Sequence, residues 1–169
     1  MIALGIAPGI ASLAYSVIAY EDDSSVGESL DSDVLKSGRG ISLVSAWESA
    51  KRCRAHHLIL DVVCDRYVPA VVGVGPAADP LEAADNVAAV RLLLAAVSHA
   101  LHVPIVQVPL ASDLLAGIRA DPRTLVKVVR KEVPNLTGYR DRRIVLATAS
   151  AIFAVRRLAL QNTAPIGCT

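Results

Sequence analysis

The chain has 169 residues, 53% hydrophobic and 20% charged, which is enough apolar material for one domain with its own core and excludes a disordered chain. Aromatics make up only 4%, so that core must be built from Ala, Val, Leu and Ile, as α/β layering allows. A formal net charge of +1 excludes a global attraction to nucleic acid, so any such contact must come from a local basic cluster.

Residues 1–20 are apolar but lack a basic start and are broken by Pro8 and Gly9, so they read as core strands rather than an export signal. Two β-rich runs, Ile2 to Ile6 and Ser12 to Tyr20, flank turn chemistry at Ala7 to Ala11 and predict an opening hairpin. The acidic, serine-rich stretch Glu21 to Asp33 reads as a solvated loop leading to a third strand around Asp33 to Lys36.

Apolar residues at Leu43, Val44, Trp47 and Ala50 predict an amphipathic helix over Ile41 to Ala55. His57 to Val63 is a short apolar run carrying Asp61 and reads as a buried parallel strand. Gly73, Gly75 and Pro76 mark Val68 to Ala78 as a mobile loop.

Asp79-Pro80 opens a long helix through His99, apolar around most of its circumference, which predicts burial or pairing with another subunit. With Arg91 and His99 in or beside it, this stretch is too short and too polar to span a bilayer, and no membrane segment is expected. A strand follows at Pro104 to Pro109, then helices at Ala111 to Ile118, Pro122 to Val133 and Arg140 to Gln161. The reading is one domain over residues 1–163, with a loose tail over 164–169.

Cys53, Cys64 and Cys168 are odd in number and without a CxxC pair, so neither a zinc site nor a disulfide framework is indicated, and a cytoplasmic setting fits. His56-His57 has no partner at metal-ligand spacing and reads as packing or surface. Positive charge is densest at Arg119, Arg123, Lys127, Arg130 and Lys131, with Arg140, Arg142 and Arg143 following; this is either a solvated helix face or a phosphate-contacting one.

The order of these elements resembles the RNase H-like superfamily, a mixed five-stranded sheet flanked by helices, and four segments resemble its RuvC-type Holliday-junction resolvases. Leu4-Gly5-Ile6-Ala7-Pro8-Gly9 is similar to the first-strand signature, in which an Asp stands at the position of Ala7. His57 to Val62 resembles the strand whose end bears a catalytic Glu, which would place Asp61 there. Gly117-Ile118 through Arg123 to Val126 resembles the Gly-rich turn and following helix, with Arg123 at the position of a DNA-contacting Lys.

Asp141 to Ala147 resembles the closing-helix motif with two acids three residues apart, which pairs Asp141 with the first acid and Ile144 with the second. Sliding the register would instead bring Arg140 and Arg143, or Ala147 and Ser150, to the two positions, and no register restores both acids. The resemblance also implies that Tyr67 could insert among junction bases, with core packing as the other reading, and that helix 80–99 would form a homodimer interface.

Phosphodiester cleavage of this kind uses two divalent ions roughly 4 Å apart, held by oxygen ligands. Alanine supplies no ligand, and Ile144 would put hydrocarbon where an oxygen should be. Asp61 and Asp141 would be the surviving metal-binding acids, although Asp61 reads equally as an ion-pair partner of Arg52 or Arg54, and Asp141 as a helix cap.

The expectation is a catalytically degenerate resolvase homologue, dimeric, that binds branched DNA or a partner without cleaving it, through Arg119, Arg123, Lys127, Arg130 and Tyr67. No cofactor is then expected. Two alternatives stand beside it: an active Mg2+- or Mn2+-dependent nuclease with a metal site rebuilt from Asp61, Asp141 and Asp65, and a protein-interaction module that does not bind DNA.

Overall fold

The computed structural model describes residues 1–8, 12–21, 25–36, 63–75, 102–108 and 122–163. In chain order they form β1 (Ile2–Pro8), β2 (Ser12–Tyr20), β3 (Gly27–Lys36), a three-residue helical turn α1 (Asp65–Tyr67), β4 (Val71–Val74), β5 (Ile105–Gln107), α2 (Pro122–Glu132) and α3 (Arg142–Thr163). The strands make one five-stranded sheet in the order β3-β2-β1-β4-β5. The first three run antiparallel, while β4 and β5 are added parallel to β1. This is the mixed sheet that the sequence predicts.

Strand alternation divides the sheet into two apolar faces. Ala3, Ala7, Ala14, Ile18 and Val71 join residues of α2 and α3 in one core cluster. Leu4, Ile6, Leu13, Tyr15, Val17, Val72 and Val74 form a second cluster with Val63 and Cys64 on the other face. The small residues on the first face let α3 lie close to the sheet. A Cβ on Gly5 would come within 2.8 Å of the Ala147 carbonyl carbon and the Ala151 amide nitrogen, and one on Gly73 within 2.6 Å of the Ser150 carbonyl carbon.

Where α3 crosses β2, the wholly buried Thr148 hydroxyl lies 2.9 Å from the equally buried Ser16 hydroxyl and 2.9 Å from the Ile144 carbonyl, which can only accept, so Thr148 donates to that carbonyl and accepts from Ser16 inside the interface. Over Arg142–Gln161, α3 is long and apolar enough to cross a membrane, but its apolar residues are taken up by the sheet and α2, as in the core helix of a globular domain.

Three sequence readings need correction. The segment 68–78 is not a loop throughout: Val71–Val74 is a fully buried central strand, and its glycine is there because α3 passes over it, not because the chain turns. The third strand starts at Gly27, six residues before the predicted Asp33, because a polar, acidic edge strand carries no hydrophobic signal on its exposed side. Val63, expected to close a strand, belongs to the helical turn leading into α1. The rest of that expected strand, including Asp61, lies outside the described residues, as do Trp47, Arg119 and the helix expected over 80–99.

Candidate functional site

In a sheet with parallel central strands, side chains converge at the carboxyl ends of those strands. Here these are β1 and β4, whose ladder ends at Ile6 with Val74. One step further, Ala7 and Gly75 lie side by side, linked by the Gly75 amide donating to the Ile6 carbonyl at 2.8 Å. Both positions look toward α3. Gly75 is therefore the residue that follows the end of the strand beside β1.

Ala7 is 2% exposed, pairs across the hairpin with Ala14, and sits in the cluster that contains Ala147 and Ile144. Ile144, 8% exposed in the first turn of α3, points into that same cluster. At Gly75 a Cβ would overlap the Ser150 hydroxyl oxygen, which donates back to the Leu146 carbonyl at 2.8 Å. The alternative registers of the closing helix add no acid: Ala147 and Ser150 are wholly buried and Arg140 is exposed.

Asp141, a candidate acid among the described residues, immediately precedes α3. Its Oδ1 accepts the Arg143 backbone N–H at 2.9 Å, the geometry of a helix cap. The Arg143 side chain closes on both oxygens, Nε to Oδ1 at 3.0 Å and the terminal nitrogen to Oδ2 at 2.7 Å. That guanidinium, with the backbone N–H groups of Arg143 and Ile144, holds the carboxyl below the usual carboxylate range.

Among the described residues, no three His, Cys, Asp or Glu side chains gather where they could hold a metal ion. At the strand ends Ala7 offers only a methyl group and Gly75 no side chain, and the Asp141 carboxylate is already engaged by Arg143; these residues do not fit a two-ion centre.

The basic residues have a definite placement. Leu125 and Val129, with Val133 just past its end, turn the apolar side of α2 into the core, which leaves Arg123, Lys127, Arg130 and Lys131 exposed on the other side. After a short turn the chain passes Tyr139 and exposes Arg140 and Arg142. The Arg130 guanidinium lies over the Tyr139 ring at 4.5 Å from its centroid, so the two basic runs of the sequence meet at this tyrosine. Tyr139 was not singled out by sequence; its spacing from Arg130 gives no helical or strand periodicity.

Tyr67 and Asp65 lie elsewhere. The turn that carries them enters β4 at its amino end, and Tyr67 packs on the face opposite α3, its hydroxyl donating to Asp31 at 3.3 Å. Arg66 covers its ring at 5.2 Å.

No family model and no curated protein sequence matches the chain. Solved structures do. Thermus thermophilus RuvC superimposes with a TM-score of 0.75 at 25% identity, over 95% of this chain and 97% of its own. The yeast mitochondrial Holliday junction resolvase gives 0.59 at 12% identity, over 95% of this chain and 81% of that one. The Fowlpox virus resolvase in complex with its Holliday junction substrate gives 0.52 at 13% identity, over 97% and 100%. The chain has the fold of the RuvC-like Holliday junction resolvases.

Proposed function

We propose that this chain is a resolvase-fold protein that binds branched DNA through the exposed basic side of α2 and does not cleave it. One observation carries this reading: Ala7, at the position of an Asp in the resemblance, is buried at the carboxyl end of β1 in the same hydrocarbon cluster as Ile144, and Gly75 beside it abuts the Ser150 hydroxyl. The binding half of the reading is supported by two solved relatives by fold, Thermus thermophilus RuvC and the Fowlpox virus resolvase, which are in complex with Holliday junction substrates. Arg123, at the position of a DNA-contacting Lys in the resemblance, is exposed on that same side of α2 with Lys127 and Arg130.

Contacts of this kind reach phosphate and carry no sequence information. The test is the affinity of the purified chain for a labelled synthetic four-way junction across a salt series. Each neutralised phosphate contributes roughly 0.9 to the slope of log affinity against log salt. A slope of about 2–4 is expected from the exposed side chains of α2. Absence of detectable binding at low salt would leave only a protein-interaction role.

A further inference from the structure

The geometry points to a preformed phosphate seat at the junction of α2 and α3, in which Tyr139 holds the Arg130 guanidinium in place for a backbone phosphate. This inference rests on the DNA-binding reading and names where on the basic side the strongest contact falls. Arg130 is solvent-exposed, and an exposed arginine ordinarily loses considerable rotamer freedom when it engages a ligand. Here that ordering is done in advance. The half-buried Tyr139 ring lies under the guanidinium at 4.5 Å.

The ring is itself fixed. Its hydroxyl donates to the Val133 carbonyl, just past the end of α2, at 2.6 Å, and the chain on either side is anchored as well. Four residues before it, the Asn135 side chain meets both backbone groups of Ser29 on the sheet edge, accepting its N–H at 2.8 Å and donating to its carbonyl at 3.3 Å. Two residues after it, Asp141 caps α3. Tyr139 is thus held between a strand edge and two helix ends.

A guanidinium lying over an aromatic ring uses its face for the stack and keeps its edge N–H donors for a planar anion such as a phosphate. Arg140 follows Tyr139 directly and adds a second exposed cation beside the seat. Tyr139 acts here as a positioning residue, with Arg130 making the contact.

The test measures junction affinity of the full chain across a salt series for wild type, Arg130→Ala, Arg130→Lys, Tyr139→Leu and the double variant Arg130→Ala/Tyr139→Leu. Thermal melts confirm folding, and the exposed Arg130→Lys gives a variant that does not disturb packing. Arg130→Ala should weaken binding and lower the salt slope by about one. Tyr139→Leu and Arg130→Lys, which keep the charge but lose the stack, should each weaken binding about threefold to tenfold with the slope unchanged. The double variant should bind no worse than Arg130→Ala, since Tyr139 acts only through Arg130. Wild-type affinity in Tyr139→Leu or Arg130→Lys, or losses that multiply in the double variant, would overturn the seat while leaving DNA binding intact. Failure of the wild-type chain to bind the junction at all would remove the reading beneath it.

Discussion

Gly75 and Ser150 are in direct steric opposition: any side chain at position 75 would occupy the space of the Ser150 hydroxyl, although the Ser150 Cβ itself is an ordinary 3.5 Å away. Gly75→Ala should therefore cost about 1–3 kcal/mol as an overpacking change. Because only the hydroxyl is in the way, Gly75→Ala/Ser150→Ala should recover most of that loss. Chemical denaturation of wild type and the two variants measures this. A double variant no more stable than Gly75→Ala would mean that the close approach of α3 to β4 is wrongly placed.

The Ser16–Thr148 pair gives a second test of the same interface. Thr148→Val keeps the shape but leaves the Ser16 hydroxyl buried without its partner, at a cost of about 1–3 kcal/mol. Adding Ser16→Ala should return part of it, because an apolar pair leaves nothing unsatisfied. Strictly additive losses in the double-mutant cycle would argue that the two hydroxyls do not meet.

How much of this was legible in the sequence depended on what each residue signals locally. The hairpin was, because Ile2 to Ile6 and Ser12 to Tyr20 are β-rich on either side of Pro8-Gly9, and α3 was, because its apolar run is long. Strand β4 was not. Gly73 and Gly75 read as turn residues, and nothing local reveals that they are glycine because a helix from 70 residues later in the chain passes over them. The apolar residues at Ala7 and Ile144 are visible in the sequence itself, whereas the place of Gly75 beside Ala7 required the register of β1 against β4. Tyr139 was hidden because its stack with Arg130 depends on the turn between the two helices.

Asp141 should behave as a structural group. Its carboxyl is held low by Arg143 and by backbone N–H groups at the start of α3, so its ionised form is favoured in the folded state. The sign follows: the stabilisation is fully present above the ordinary carboxylate range and is lost as pH falls through the lowered folded value. Asp141→Ala should cost about 1 kcal/mol at neutral pH, the usual worth of a cap, with the difference from wild type shrinking in acid. A difference that grows as pH falls below 4 would contradict the assignment.

The tyrosines predict the alkaline limb. Burial, followed by the nearby Asp31 carboxylate, pushes the Tyr15 phenol up to about 12, and burial raises Tyr20 as well. A phenol with a raised folded value contributes stability that is present below pH 10 and lost as pH rises through the folded value. Absorbance near the tyrosinate band should show these two of the four tyrosines ionising only together with loss of helical dichroism. Ionisation of all four near pH 10 in the folded chain would contradict their burial.

An acid placed at position 7 should destabilise the fold. Ala7→Asp would place a carboxylate among Ala14, Ala147 and Ile144, at a cost of several kcal/mol unless it stays protonated. The variant should melt at a lower temperature, by a margin that widens from pH 5 to pH 8 as the new acid is forced to ionise. A melting point unchanged across that range would mean that water or a cation reaches position 7.

The most direct test of the account is incubation of the wild-type chain with an end-labelled four-way junction in Mg2+ or Mn2+, with binding and strand scission followed in the same samples. A salt-sensitive complex and an intact junction are expected with either metal. Metal-dependent nicks at the crossover, abolished by chelation, would contradict it.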